Sequence, residues 1–147
     1  MLGCVSSTSP GRGWQRERPV PVRAVAGDPL GFVAGIARDV YDVWVGVMAI
    51  GDDGSAVLTQ DVVDRVARNM TDAILGDREP RAVPTVDTTG RPISISTGRA
   101  DSTRGPAPVL RIGSGPTVVL TDKVQRLVEV SMQAVVVDAR RLNEGGA

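Results

Sequence analysis

Apolar residues are concentrated in three stretches of the chain, at about 29–50, 57–76 and 117–142. The most regular part is 59–75, where apolar positions recur three or four residues apart, the spacing of one face of an α-helix. The residues on this face are Val63, Val66, Ala67, Met70, Ala73 and Ile74. Thr59 is placed to cap the helix and Gly76 to end it. The pattern therefore predicts a helix at 59–75.

The first apolar stretch supports two interpretations. Its apolar residues recur at helical spacing, and Asp28-Pro29 is a typical helix start, with Asp as the cap and Pro at the first helical position. The recurring residues are Val33, Ile36, Val40, Val43, Val47 and Ile50. The second half of the stretch also alternates and is rich in β-branched valine, which favours a strand. We therefore predict a helix at 29–39, a strand at 42–50 and a turn at Gly51–Gly54.

The third apolar stretch and the residues before it predict a hairpin and a final helix. Two short apolar runs, 109–112 and 117–120, flank a Gly-Ser-Gly-Pro loop of a length that joins antiparallel strands. Thr121 can cap a helix at 121–134, and an alternating run at 93–97 adds one short strand. The apolar face of this final helix consists of Val124, Leu127, Val128 and Val135. Together these elements predict an α+β fold with about three helices packed on a small, mainly antiparallel sheet. No internal repeat is expected.

Two long segments lack a regular apolar pattern. Residues 1–27 contain Pro19 and Pro21, whose fixed φ and missing N–H favour extended backbone, so we predict an extended basic arm. Residues 78–108 contain five prolines and are predicted to form a long, flexible central loop. We expect 28–147 to form a single small domain around this loop.

The formal net charge of the chain is zero, but the charges are unevenly distributed. Segments 1–27 and 78–116 each carry a net charge of +3, 28–77 carries −6, and the rest is neutral. The basic segments can fold back onto the acidic one, or they can contact an acidic partner or nucleic acid. The candidates for charge-assisted contacts with a partner are Arg16, Arg18, Arg91, Arg99 and Arg104.

The residues available for catalysis are few. The chain has no histidine and a single cysteine, Cys4, so the usual general base and the zinc fingers are excluded. Lys123 is the one lysine, and its position in the first turn of a predicted helix favours a solvated surface residue. The aspartate pairs resemble solvated helix faces, which leaves a magnesium-dependent hydrolase as the least implausible enzyme. We therefore expect no enzymatic activity, no metal and no cofactor.

These observations favour a non-enzymatic structural or assembly subunit of a larger bacterial or phage complex. It would engage neighbours, either other proteins or copies of itself, through the basic arm and the loop. The alternative is a small nucleic-acid-binding regulator that uses the Arg-rich arms. Because nearly all basic residues are Arg, a GC-rich genome is indicated. No apolar run is long enough to span a membrane and no signal peptide is recognised, which favours the cytoplasm or a virion.

Overall fold

The protein consists of one eight-stranded antiparallel sheet and two helices in a computed structural model that describes residues 13–51, 53–76, 79–102 and 105–145. The strand order across the sheet is β4-β3-β2-β1-β8-β7-β6-β5. The elements are β1 (Gln15–Ala24), β2 (Pro29–Arg38), β3 (Trp44–Ile50), β4 (Asp53–Leu58), α1 (Gln60–Leu75), β5 (Arg81–Val86), β6 (Pro92–Ser102), β7 (Gly105–Ile112), β8 (Thr117–Val119) and α2 (Asp122–Asn143). The predicted fold of about three helices on a small sheet is therefore wrong.

The segment predicted as a helix at 29–39 is strand β2. Phe32, Ala34 and Ile36 alternate along it and are all fully buried. Gly31 precedes Phe32 and Gly35 lies between Ala34 and Ile36, and glycine disfavours a helix. Two-residue alternation therefore outweighs the helical spacing in this segment. The strand predicted at 42–50 is confirmed as β3, and β2 and β3 form an antiparallel pair.

Most of the described part of the predicted N-terminal arm is strand β1, which lies between β2 and β8 in the sheet. Val20 and Val22 are buried in the core. The strand tolerates Pro19 and Pro21 because β8 pairs only with its last two residues, Arg23 and Ala24, so the prolines lie where β2 is the one neighbouring strand. Residues 1–12 of the predicted arm lie outside the described residues.

The predicted central loop at 78–108 contains β5, β6 and the first half of β7. Alternation in β6 buries Ile95 and Thr97 on the side of the sheet that faces the helices. Pro84 lies in β5, an edge strand, where a missing N–H is tolerated. Pro92 begins β6, and Pro106 lies near the start of β7. Pro108 lies within β7 but before the residues that pair with β8, which begin at Val109, so it has only β6 as a paired strand. The predicted hairpin around Gly113–Pro116 is confirmed as β7 and β8.

The structure contains both of the other predicted helices, at 59–75 and at 121–134. For α1 the observed range nearly equals the predicted one, and the Val62 N–H donates to Thr59 Oγ1 at 3.2 Å. The second helix, α2, continues well past the predicted end at 134 because Val135, Val136 and Ala139 are buried in the core. It lies close to the sheet: a Cβ added to Gly46 of β3 would be 3.1 Å from Val135 Cγ2.

The chain contains an internal repeat, contrary to expectation. Four strands and a helix, β1–β4 and α1, are followed by four strands and a helix, β5–β8 and α2. The register also repeats, since Val20 pairs with Phe32 and Phe32 with Ile50, while Val83 pairs with Ile95 and Ile95 with Ile112. Each helix packs mainly on the strands of the other half: α1 on β5–β7 and α2 on β1–β3.

Short sequence matches accompany this repeat. Gly51 begins the turn after β3, and Gly113 begins the turn after β7. Both follow isoleucine and both have positive φ, a conformation that favours glycine. Each helix begins after Leu-Thr and continues with valine, valine and methionine at four-residue spacing. The matched residues are Leu58 and Leu120, Thr59 and Thr121, Val62 and Val124, Val66 and Val128, and Met70 and Met132. These matches are too few for the repeat to be noticed in the sequence alone.

The core lies between the two helices and the sheet. Its fully buried residues come from both halves and include Phe32, Met48, Met70, Leu110 and Met132. The two edge strands approach each other, and the Thr85 hydroxyl of β5 donates to the Val57 carbonyl of β4 at 2.8 Å. The sheet is therefore rolled around one shared core.

Candidate functional site

The second helix carries apolar residues on two sides. One side is buried against the sheet and includes Val128, Met132, Val135 and Ala139. The other side, the outer stripe, consists of Leu127, Val130, Ala134 and Val137. Leu127 is 52% exposed and Val130 is 58% exposed, while Ala134 and Val137 are half-buried. The spacing of three, four and three residues places the outer stripe along a single line on the helix.

Two shallow grooves run along this outer stripe. One has a volume of about 400 Å³ and is lined by Val130, Gln133, Ala134, Val137, Asp138 and Arg141. The other has a volume of about 310 Å³ and is lined by Asp122, Lys123, Arg126 and Leu127. Each end of the outer stripe therefore lines a groove, Leu127 at the start of the helix and Val130, Ala134 and Val137 further along it.

Basic side chains lie at both ends of the outer stripe. Lys123 and Arg126 precede it, and Arg140 and Arg141 follow it, all four exposed. Among the described residues, no carboxylate lies within 4.0 Å of Lys123, Arg126 or Arg141, and Arg140 donates only to the Gln60 side chain, at 3.4 Å. The apolar surface thus has cationic ends.

Arg16 and Arg18, two of the predicted partner-binding residues, lie together beside the same helix. Both face Asp138 of α2, with N···O distances of 3.6 Å from Arg16 and 3.8 Å from Arg18. A bulge between Gln15 and Arg18 interrupts the pairing of β1 with β2, and Arg16 has a φ of 53°, an uncommon value for a residue other than glycine. The bulge therefore contributes to directing two guanidinium groups toward one carboxylate.

The carboxylate in this cluster is incompletely satisfied. Asp138 is 12% exposed at its side chain, whereas Arg16 and Arg18 are 49% and 48% exposed. Asp138 Oδ2 is buried and has no hydrogen-bond partner. The distances to the two guanidinium groups exceed hydrogen-bond length, so both cations keep donors available for another group.

Polar contacts hold α2 on both sides. Gln133 and Gln60 of α1 exchange two amide hydrogen bonds, at 3.0 and 3.2 Å. At the end of the helix, the Trp44 N–H donates to Asn143 Oδ1 at 3.0 Å, and Asn143 Nδ2 donates to the Trp44 carbonyl at 2.7 Å. The outer stripe is therefore presented by a fixed element rather than a loop.

The other predicted partner-binding residues do not join this cluster. Arg91 lies in the β5–β6 turn, where its backbone N–H donates to Asp87 Oδ1 at 3.0 Å. The pKa of Asp87 is lowered by a hydrogen bond from the Thr89 hydroxyl, by the backbone N–H groups of Arg91 and Thr89, and by the Arg91 charge. Arg99 is only 19% exposed and contacts Asp101 at 2.9 Å. Arg104 lies outside the described residues.

Sequence reasoning missed the outer stripe because it placed Leu127 on the buried face and ended the helix at 134. The repeat contains the signal that would have found it. Aligning α2 with α1 places Leu127 opposite Arg65, Val130 opposite Arg68, and Ala134 opposite Asp72. Three of the four outer-stripe positions of α2 are therefore charged in α1, and the fourth, Val137, aligns with the exposed Leu75.

The rest of the described surface was compared with the requirements of a metal site and of a membrane span. Within the described ranges, no group of three or more His, Cys, Asp or Glu side chains could hold a metal ion. A third groove, of about 550 Å³, is lined by Pro84, Thr85, Pro92, Ile93, Ser94, Gly113 and Ser114, none of which is titratable. Neither of the helices is long and apolar enough to cross a membrane, as far as the chain is described.

Comparison with known proteins finds no match. No family model matches the chain, and no curated protein or solved structure is similar to it. Function is therefore inferred from the molecule itself.

Proposed function

We propose that the protein is a non-enzymatic subunit of a larger protein assembly and that it contacts its neighbour through the outer stripe of α2. The observation that carries the proposal is the exposure of Leu127 and Val130 on a helix whose opposite side already packs on the sheet. Apolar patches with polar rims on soluble proteins are typical of interaction sites.

The comparison with α1 supports this proposal. Both helices pack on the same sheet through matching valine and methionine residues, so the fold makes the same demand on each. Leaving an apolar side chain in water forgoes about 25 cal/mol for each Å² that burial would remove from solvent. Because α1 folds with Arg65 and Arg68 at the equivalent positions, packing within the chain does not require Leu127 and Val130.

The proposed contact through α2 differs from the contact through the N-terminal arm and central loop that the sequence suggested. Residues 15–24 belong to the sheet, and removing them to join a neighbour would expose Val20 and Val22. Docking of a partner on a preformed helix face requires no such rearrangement. A bacterial or phage complex, in the cytoplasm or a virion, remains the setting that the Arg-rich composition favours.

Site-specific photocrosslinking in the producing organism tests the proposal. A photoreactive phenylalanine analogue is placed at Val130 and, as a matched control, at the equivalent α1 position Arg68. We expect a protein adduct of one defined mass at position 130 and none at 68, and the additional substitution Leu127→Asp should abolish it. Equal adducts at both positions, or none at either, would contradict docking through α2.

The same experiment distinguishes the alternative of a nucleic-acid-binding regulator. The basic side chains Lys123, Arg126, Arg140 and Arg141 lie along α2, and such groups can neutralise phosphates. An adduct at position 130 whose added mass is removed by nuclease would favour this alternative. The apolar middle of the surface, which offers nothing to a phosphate, favours a protein.

A further inference from the structure

We infer that the outer stripe of α2 receives an amphipathic helix of a partner protein that carries acidic residues at both ends of its apolar face. This inference rests on the proposed function and adds the chemistry of the partner. The apolar part runs from Leu127 to Val137, which at a rise of 1.5 Å per residue is about 15 Å, or about three helical turns. A partner helix of comparable length covers it.

The charges at the start of α2 point to an acidic partner. Lys123 and Arg126 lie near the helix N-terminus, where the helix dipole disfavours cations. The equivalent residues of α1 are Asp61 and Asp64, which the same dipole favours. Lys123, in the first turn, therefore opposes the stability of its own helix. Among the described residues neither Lys123 nor Arg126 forms an ion pair, so both are available for a carboxylate that arrives from outside.

Arg16 and Arg18 provide a second binding site for acidic groups, beside the other end of the outer stripe. Two guanidinium groups face the single carboxylate of Asp138, so the cluster has a net charge of +1. Asp138 also lines the groove next to Val137, which places the cluster at the edge of the apolar surface. A partner carboxylate that follows the last apolar residue of the docked helix can accept hydrogen bonds from these guanidinium groups.

A second copy of the chain does not satisfy this surface. In an antiparallel pair of α2 helices, Lys123 and Arg126 of one copy would lie opposite Arg140 and Arg141 of the other. A parallel pair would place each cation next to the same cation of the other copy. Like charges in contact are destabilising in either arrangement. The outer face of α1 presents Asp61, Arg65 and Arg68 instead of an apolar line, so it does not fit either.

Binding of two matched synthetic peptides tests the inference. Both are helical peptides of about 16 residues with leucines at three- and four-residue spacing, and they carry on the same side either glutamates or lysines in the first and last turns. We expect the glutamate peptide to bind at least about tenfold more tightly than the lysine peptide, as measured by fluorescence anisotropy. The affinity for the glutamate peptide should fall between about 50 mM and about 300 mM salt because screening weakens the charge contacts.

Variants of the protein locate the contact. Arg126→Glu with Arg141→Glu should reverse the preference between the two peptides, and Arg16→Ala with Arg18→Ala should weaken binding of the glutamate peptide by about threefold or more. Arg65→Glu with Arg68→Glu on α1 is the matched control and should leave binding unchanged. Circular dichroism of each variant confirms that it remains folded.

Each result has a distinct meaning. Equal binding of the two peptides, or no binding of either at about 1 mM, overturns the inference of an acidic partner. Self-association that Leu127→Asp abolishes also overturns it, in favour of a second copy. If the crosslink at position 130 forms while the glutamate peptide fails to bind, the proposed function stands and this inference falls. If no crosslink forms, both fall.

Discussion

The two helices of this protein have the same inner face and different outer faces. α1 and α2 start after the same Leu-Thr pair and bury matching methionines, Met70 and Met132, between the sheet and themselves. On the outside, α1 carries Arg65 and Arg68 where α2 carries Leu127 and Val130. The comparison teaches that packing on the sheet constrains one side of each helix only. The other side is free to differ, and we propose that in α2 it contacts a partner.

The largest expected effect concerns the shared inner face. Met70→Ala and Met132→Ala each remove a fully buried side chain, so each should lower the free energy of unfolding by about 2–5 kcal/mol. Because the two positions are equivalent in the repeat, we expect the two losses to be similar. Urea denaturation measures both. A loss below about 1 kcal/mol at one position alone would show that the two halves do not share the core equally.

A smaller effect separates the two helix starts. Thr59 accepts a hydrogen bond from the Val62 N–H, whereas the equivalent Thr121 makes no side-chain cap bond. Thr59→Ala should therefore cost about 1 kcal/mol of unfolding free energy, and Thr121→Ala clearly less. The same denaturation measurement compares them. Equal losses would mean that both threonines cap their helices in solution.

The smallest effect on stability is expected from exchanging the outer faces. Arg65→Leu with Arg68→Val copies the outer stripe onto α1, and Leu127→Arg with Val130→Arg removes it from α2. Each pair should change the free energy of unfolding by no more than about 0.5 kcal/mol, since the affected side chains face solvent and the Arg65–Asp61 ion pair is exposed. A loss above about 1 kcal/mol at the α2 positions would show that the fold itself depends on the outer stripe.

The sequence was sufficient to predict elements whose pattern is local. The helix at 59–75 has both a cap and a single periodicity, and the 109–120 hairpin has a defined loop. The helix predicted at 29–39 was wrong because Ile36 fits both the helical spacing from Val33 and the two-residue alternation from Phe32, and the pairing with neighbouring strands decides between them. Strands β1 and β5 were missed, and β6 was predicted only over 93–97, because the prolines of these segments indicate loops, while the tolerance for proline depends on which edge of the strand is paired.

The candidate site was predictable in part. Charge alone singled out Arg16 and Arg18, but their meeting at Asp138 depends on a bulge and on the packing of α2 across the first half of the sheet. Leu127 was recognised as apolar and assigned to the wrong side of its helix. Its exposure follows from the length of α2 and from the contact of Val135 with Gly46, neither of which is visible before the sheet is assembled.

The crossing of the two helices has a consequence for how the molecule is divided. Because α1 covers β5–β7 and α2 covers β1–β3, a cut between α1 and β5 yields two fragments, each with a bare sheet and a helix that belongs elsewhere. The fragments would regain the architecture only if the helix of each fragment packed on the sheet of the other. A half-length chain of four strands and one helix could build the same body as a symmetric pair in which each member lends its helix to the other.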